Sequence, residues 1–353
     1  MAKFVKITVF FAIGLFIMYL VFDKQNAAYT AECSIKGIAA ADCHLMDKIM
    51  ADIKGANYFW VVLTMILFMI TNVFRALRWQ MMFNAIGYRP KFTNLIGTIM
   101  INYLANLGIP RSGEVIRAGM ISKYENIPLE KSLGTIFTDR IFDVIMLALV
   151  ILLAILIGGN DFVSYLETNA DITGKLTLVS GNYLLLISLA VLGLGLVFGV
   201  WMMRDILLKS VIGQRIKTIS EGFISGVKSV SKVRSIPLFI FYTVGIWLLY
   251  YLMMYFGFRA FAPTAHLGMV AGLVIFVFGS LGILVPTPGG MGSYHYLVGA
   301  GLALYGINGA DAFSFANIIF FSINIFINVI FGLAALVILP TINDTNNSKI
   351  PQA

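Results

Sequence analysis

The chain has 353 residues, of which 59% are hydrophobic and 12% are charged, and its formal net charge is +8. Soluble domains carry roughly 25% charged residues, so this composition excludes an ordinary soluble protein and predicts a membrane protein. Its orientation in the membrane then depends on where the 25 Lys and Arg residues fall.

Six stretches are apolar and long enough to cross about 30 Å of hydrocarbon as helices. They are Phe4–Phe22, Tyr58–Phe74, Ile141–Ile157, Asn182–Met203, Ile236–Phe258 and Ala312–Leu339. No small-residue cleavage site follows the first stretch, so we expect a retained span rather than a signal peptide. With the N-terminus inside, the segments Arg75–Arg140 and Arg204–Arg234 keep most positive residues in the cytoplasm. We therefore expect a multi-pass protein of a prokaryotic cytoplasmic (inner) membrane, with both termini cytoplasmic.

The spans are expected to form one transmembrane domain over residues 1–340, followed by a short cytoplasmic tail at 341–353. The loop 23–57 is extracytoplasmic in this topology and contains both cysteines, Cys33 and Cys43. Because that compartment is oxidising, a disulfide is favoured over two free thiols. Residues 204–235 predict a basic amphipathic helix, which either lies on anionic lipid or serves as a solvated connector.

Two further membrane-like stretches are interrupted by Pro and Gly, at Asn106–Glu114 and at Ser280–Gly292. A broken backbone at membrane depth must be buried in protein or line a wet cavity, so these breaks indicate a substrate site. A first segment that crossed would carry its arginines outside, against the positive-inside rule. We therefore predict a re-entrant hairpin that enters through Leu95–Leu107, turns near Pro110 and returns along Ser112–Tyr124, with Ser112 as N-cap.

The second interrupted unit, Leu267–Gly306, enters from the opposite face and breaks at Pro286-Thr-Pro-Gly-Gly. It predicts either a second hairpin or one full and one short span, with Ser293 as the cap of the returning helix. Both breaks follow the triplet Leu-Gly-Ile, which indicates either an inverted repeat with tips near the midplane or the coincidence of a common triplet.

The sequence has no Walker loop, no metal-spaced Cys/His set and no glycine fingerprint after a strand. We therefore expect no cofactor, no bound metal and no nucleic-acid partner. Transport by this chain is expected to be passive or coupled to an ion or to the membrane potential.

Charged residues near the breaks are the first candidates for a binding site, because charges at membrane depth are costly unless they are paired. Glu114 and Arg117 are three residues apart and share a helix face, a spacing that allows them to pair. Asp139, Arg140 and Asp143 form either an intramembrane site or the first turn of a span at the interface.

The end of the second predicted span carries Arg75, Arg78 and Trp79. These residues are interpreted as an interfacial anchor, and the alternative is a grip on a phosphate headgroup.

The Gly-rich second break is expected to bring backbone N–H groups close to an anionic headgroup. His295 either pairs with that headgroup, shuttles a proton, or is a packed histidine. The candidate binding residues are Arg111, Glu114, Arg117, Asp139, Arg140, Asp143, Pro286, Pro288, Gly289, Gly290, Gly292 and His295.

Four motifs then occur in order: Arg75-Ala-Leu-Arg-Trp79, Pro110-Arg-Ser-Gly-Glu-Val-Ile-Arg117, Asp139-Arg-Ile-Phe-Asp143 and Pro286-Thr-Pro-Gly-Gly-Met-Gly292. Together they resemble the lysylphosphatidylglycerol synthase transmembrane (flippase-like) family over roughly Tyr58 to Leu339. The resemblance implies a lipid flippase and marks Glu114, Arg117, Arg140, Asp143 and the Pro-Gly-Gly turn as site residues. The chain departs from the family pattern at Asp139 and His295, where Glu is common, and the second change alters the charge. The length leaves no room for a soluble aminoacyl-transferase domain, so synthesis of an aminoacyl-lipid is not expected.

The sequence thus predicts an all-α polytopic membrane protein with about six spans and two re-entrant hairpins. Its expected function is translocation of a lipid between leaflets, with an anionic phospholipid, an aminoacyl-lipid or a polyprenyl-phosphate-linked headgroup as partner and with homo-oligomerisation left open. The alternatives are a membrane-embedded transferase acting on a lipid-phosphate, and a scaffold for lipid or envelope synthesis.

Overall fold

The computed structural model describes residues 43–169, 221–307 and 309–347, together with a few short pieces between residues 19 and 34. These residues are helical and contain no strand. The helices are α1 (Leu45–Gly55), α2 (Tyr58–Ala85), α3 (Phe92–Gly108), α4 (Ser112–Glu125), α5 (Leu129–Asn169), α6 (Ile236–Phe258), α7 (Met269–Leu284), α8 (Ser293–Ala303), α9 (Gly309–Phe320) and α10 (Asn328–Asn347). A π-helical stretch, Phe321–Ile327, joins the last two.

Four helical stretches are long and apolar enough to cross a membrane: Tyr58–Ala85, Leu129–Gly158, Ile236–Phe258 and Gly309–Asn343. They correspond to four of the six predicted spans, so the all-α polytopic class is confirmed. Of the other two predicted spans, 182–203 lies outside the described residues and 4–22 is described only at its end. Residues 204–220 of the predicted basic helix 204–235 also lie outside the described residues.

The first interrupted segment forms the hairpin of α3 and α4. Pro110 has no N–H, and Arg111 adopts a left-handed conformation with φ 61°, so the helix stops and the chain reverses. The Gly113 amide donates to Asn106 Oδ1 at 2.8 Å. Ser112 was predicted as the N-cap, and this is wrong: Arg111 occupies that position, and the Ser112 hydroxyl donates to the carbonyl of Ile109 at 2.8 Å.

The second interrupted segment forms the hairpin of α7 and α8. At 16 and 11 residues, these helices are about 24 Å and 17 Å long, which is less than the hydrocarbon thickness. Gly289, Gly290 and Gly292 all have positive φ, a conformation that a side chain would strain. Ser293 is not the predicted cap, because Gly292 holds the cap position and the Ser293 hydroxyl donates to the Gly282 carbonyl at 2.7 Å.

The tips of the two hairpins touch each other. Arg111 Nη2 donates to the carbonyl of Leu284, the last residue of α7, at 3.1 Å. A Cβ at Gly289 would lie 2.7 Å from a methyl group of Leu107. The turn of the second hairpin therefore packs closely against the end of α3 in the first hairpin. The inverted repeat and the midplane position of the tips remain predictions.

The segment before the second span is docked onto the last one. Cys33 and Cys43 form a disulfide with a Cα–Cα distance of 6.2 Å. Apolar residues of α1 pack on Ala310 and Phe313 of α9. Lys48 donates to Asp52 and Asp311 at 2.6 Å each, which joins α1 to the start of α9.

The described end of the predicted basic helix packs against the first turns of α5. Residues 221–227 are helical, and Gly226 lies directly on Gly134, where a Cβ would be 2.8 Å from the Gly134 Cα. The Thr138 hydroxyl approaches the carbonyl of Val227 at 3.2 Å. This segment therefore supports the part of α5 that leads into the acidic motif.

Candidate functional site

Two arginines of α2 and two aspartates of α5 form a closed, buried cluster. Arg75 and Arg78 lie one turn apart on one helix face, and so do Asp139 and Asp143. Arg78 Nη2 donates to Asp139 Oδ1 at 2.6 Å and to Asp143 Oδ1 at 2.9 Å. Arg75 Nη1 donates to the other oxygens of the same carboxylates, at 3.2 and 2.9 Å. Each carboxylate is thereby shared by both arginines, and we call these four residues the central cluster.

Helix α6 closes the outer side of the central cluster. Arg75 donates to the Tyr250 hydroxyl and Arg78 to the Thr243 hydroxyl, both at 3.4 Å. The interpretation of the arginines and Trp79 as an interfacial anchor is wrong, because α2 continues for two more turns and buries all three side chains. An interfacial anchor would keep its charges in water. Here the arginines are buried, and their ion pairs with carboxylates offset the cost of removing the charges from water.

The acidic motif lies well inside α5. This helix begins at Leu129, so Asp139 is nearly three turns from its start. The alternative of a dipole-stabilised first turn at the interface is therefore wrong for both aspartates. A continuous helix instead presents their carboxylates to α2 across a helix–helix contact.

Arg117 of α4 approaches the cluster without completing it. Its guanidinium carbon lies 3.6 Å from the centroid of the Trp79 ring, and Nη1 is 3.8 Å from Asp139 Oδ2. The side chain has no exposed surface, and its Nε, Nη1 and Nη2 have no hydrogen-bond acceptor among the described residues. The charge of Arg117 is thus partly compensated by Asp139, but its N–H groups form no hydrogen bond with the described residues.

A more exposed ion pair, between Arg140 and Glu114, lies next to the central cluster. Arg140 Nη2 is 3.5 Å from Glu114 Oε1, and Arg140 Nη1 is 3.3 Å from Asp143. The side chains of Arg140 and Glu114 are 38% and 25% exposed, whereas Arg117 is fully buried. The pair that the spacing of Glu114 and Arg117 allows does not form, since Glu114 pairs across helices with Arg140.

The charges of this region do not balance. Among the described residues, four arginines (75, 78, 117 and 140) meet three carboxylates (114, 139 and 143) within the ion-pair distances, which leaves a formal charge of +1. Since an uncompensated charge in a low-dielectric interior is costly, the arrangement is complementary to one added negative charge.

The second break and His295 lie apart from these charges. Pro286 is exposed, while Pro288, Gly290 and Gly292 are buried. His295 is 1% exposed and packs against aromatic rings, with ring centroids 4.7 Å from Phe320 and 5.7 Å from Phe313. Within the described part of the chain, no hydrogen bond or ion pair connects this histidine or the Gly-rich turn to the arginines.

Some residues of the site were not singled out from the sequence. Thr135 accepts a hydrogen bond from Trp79 Nε1 at 2.9 Å, and Thr243 and Tyr250 contact the central cluster. Thr135 is one turn before Asp139 on the same face of α5, a spacing that could have marked it. The two α6 residues carry no such signal, because only helix packing brings them to the arginines.

The described residues contain no group of three or more His, Cys, Asp or Glu side chains arranged to hold a metal ion. The polar groups described at the site are guanidinium and carboxylate groups, surrounded by the hydroxyls of Thr135, Thr243 and Tyr250 and by the indole N–H of Trp79.

Curated relatives match only parts of this chain. A UPF0104 membrane protein of Methanocaldococcus jannaschii is 27% identical over 34% of this chain and 38% of its own length. Another UPF0104 membrane protein, from Methanothermobacter thermautotrophicus, is 29% identical over 31% of this chain and 32% of its own length. Glycosyltransferase AglD of Haloferax volcanii is 26% identical over 29% of this chain and 16% of its own length. The chain thus covers well under half of each of these relatives.

No solved structure matches this chain. Residues 43–332, which include both hairpins and the whole arginine–carboxylate region, match the family described as the lysylphosphatidylglycerol synthase TM region. This match covers most of the chain, and the protein therefore belongs to that family of membrane proteins.

Proposed function

We propose that this protein moves a lipid with a phosphate-containing headgroup between the leaflets of the cytoplasmic membrane. The observation that carries the proposal is Arg117, a buried guanidinium with no hydrogen-bond acceptor among the described residues, in a region with a charge of +1. A phosphodiester supplies both one negative charge and the planar pair of oxygens that guanidinium binds best.

The surrounding residues take different roles in this proposal. The central cluster is saturated and holds α2 and α5 together, so it frames the site without binding the headgroup. Arg140 and Glu114 are partly exposed and form its entrance, where Arg140 first attracts the phosphate. Glu114 Oε2 accepts no hydrogen bond from the described residues and receives a hydroxyl or ammonium group of the headgroup. The acyl chains remain in the lipid beside the exposed apolar faces of the hairpins.

The orientation and the energy source belong to the same proposal. Both termini are cytoplasmic, and the segment 221–227 lies at the cytoplasmic end of α5. Contact between the hairpin tips, through Arg111 and Leu284, provides a boundary that the headgroup crosses. The membrane potential acts on the charged headgroup, so the proposal requires no nucleotide.

A transferase activity has less support. The similarity to glycosyltransferase AglD covers 16% of that protein, so the activity in its name does not transfer to this chain. A scaffold role would leave the unused donors of Arg117 without an explanation.

The test is lipid translocation in proteoliposomes that contain phosphatidylglycerol with a fluorophore on one acyl chain. A membrane-impermeant reductant quenches the outer leaflet, and the rate at which protected lipid becomes accessible is the flipping rate. We expect Arg117→Gln to lower this rate by roughly 10- to 100-fold, because charged hydrogen bonds contribute about 1.5–3 kcal/mol.

The matched control is Arg259→Gln, which removes an exposed arginine outside the cluster. This variant is expected to flip lipid at the wild-type rate. If Arg117→Gln retains the wild-type rate, or if wild type does not exceed protein-free vesicles, the proposal is overturned.

A further inference from the structure

The indole ring of Trp79 lies under the guanidinium of Arg117, whose Nε, Nη1 and Nη2 have no hydrogen-bond acceptor among the described residues. The Arg117 guanidinium carbon is 3.6 Å from the ring centroid, and neither side chain has exposed surface. Such a contact is a cation–π interaction, which attracts the guanidinium through its face and involves none of its N–H groups. Trp79 therefore compensates part of the charge of Arg117 while its five N–H donors stay available.

The indole itself is fixed from two sides. Its Nε1–H donates to the hydroxyl of Thr135 on α5 at 2.9 Å, which sets the plane of the ring. Phe83, one turn further along α2, packs against it with a centroid distance of 5.0 Å. The platform on which Arg117 lies thus spans α2 and α5, the two helices that the central cluster holds together.

The position of Asp139 shows why such a platform is needed. Asp139 Oδ2 is 3.8 Å from Arg117 Nη1, which is within ion-pair range but too long for a hydrogen bond. A movement of the guanidinium by about 1 Å would bring the two into hydrogen-bond contact. The Arg117 donors would then be hydrogen-bonded to a carboxylate of the protein, as those of Arg75 and Arg78 already are.

We infer that Trp79, held by Thr135, is a positioning residue that keeps Arg117 apart from Asp139 and presents its N–H edge to an anionic headgroup. The inference rests on the proposed function and adds to it a residue that positions Arg117 at the same site. Without the indole, Arg117 is expected to form a direct pair with Asp139 and to lose affinity for the headgroup.

The experiment measures binding and uses the full chain in a neutral detergent. Short-chain phosphatidylglycerol is titrated by calorimetry, with short-chain phosphatidylcholine as the comparison headgroup. Wild type is expected to bind the anionic lipid saturably. Trp79→Leu should weaken this binding by at least tenfold, and Trp79→Phe, which keeps a ring but loses the N–H, by roughly threefold.

Thr135→Val tests the second step of the inference, because it preserves the shape of the side chain and removes the acceptor of the indole N–H. We expect it to weaken binding roughly threefold while the melting temperature stays close to that of Trp79→Phe. The matched control is Trp247→Phe, which replaces a buried tryptophan outside the site and should bind as wild type does.

A spectroscopic readout separates positioning from a merely structural role. In a variant with Trp60, Trp201 and Trp247 replaced by Phe, Trp79 is the remaining indole. Its emission should change saturably as phosphatidylglycerol is added, because an anion on Arg117 alters the field at the ring, and Arg117→Gln in this background should abolish the change.

The outcomes are distinguishable from failure of the proposed function. If Arg117→Gln abolishes binding while Trp79→Leu and Thr135→Val bind as wild type does, the anion site stands and the positioning role is overturned. If wild type binds neither lipid, both fall. If binding is lost in Trp79→Leu and weakened in Thr135→Val while Trp247→Phe keeps it, the positioning role is supported.

Discussion

Replacing Asp139 by Asn tests whether the central cluster is the main electrostatic support of the fold. Asp139 is fully buried, accepts hydrogen bonds from Arg75 and Arg78 at 3.2 and 2.6 Å, and lies 3.8 Å from Arg117. The substitution preserves the shape of the side chain and raises the charge of the site from +1 to +2. Asp143 would then be the one carboxylate of the central cluster left to Arg75 and Arg78, and the buried Arg117 would lose its ion pair with Asp139.

The size of the effect follows from these distances. One pair of unit charges about 4 Å apart is worth about 4 kcal/mol at an effective dielectric constant of 20. The Asn side-chain oxygen still accepts one hydrogen bond, and Asp143 is freed from the repulsion of its neighbour, so the losses do not add fully. Removing one partner from a buried ion pair costs about 3–5 kcal/mol, and we expect Asp139→Asn to lower the free energy of unfolding by this amount.

The assay is reversible unfolding in mixed micelles by titration with sodium dodecyl sulfate, followed by the loss of helical circular dichroism. The control is Asp52→Asn, which breaks a partly exposed pair within α1 and should cost less than about 1 kcal/mol. The double variant Arg78→Met/Asp139→Leu removes one charge of each sign and should recover much of the loss. A cost below 1 kcal/mol for Asp139→Asn, or a double variant as unstable as the sum of its parts, would refute the reasoning.

Three interactions outside the central cluster also stabilise the fold. Replacing Cys33 and Cys43 by Ser opens a short loop and should cost about 2–3 kcal/mol of unfolding free energy in the same titration. Gly134→Leu should undock residues 221–227, seen as faster amide exchange there, whereas Gly119→Leu should not, because Gly119 faces open space. Burial lowers the pKa of Lys48, but hydrogen bonds to its two carboxylate partners outweigh this and raise the pKa above 10.5. The stability from that lysine should therefore be complete below pH 10.5 and fade as the pH rises through the raised pKa, and Lys48→Met should lack this step in thermal unfolding.

The hairpins show how far local rules reach. Pro110 and the glycines at 289, 290 and 292 cannot continue a helix in the observed conformations, and the positive-inside rule disfavoured a crossing at the first break. The breaks were therefore predictable from the sequence. The caps were not: Ser112 and Ser293 turn their hydroxyls toward carbonyls of the preceding helix, a choice that depends on the close approach of the two arms.

The sequence by itself determined the membrane class, four of the six predicted spans, the two breaks and the helix faces that carry Arg75 with Arg78 and Asp139 with Asp143. Each of these depends on composition or on spacing along one helix. Only the tertiary structure decided which charges meet. It paired Glu114 with Arg140 and left Arg117 on an indole from another helix. Pairing across helices depends on their crossing and axial offset, which are set by the packing of the whole bundle and leave no local trace in the sequence.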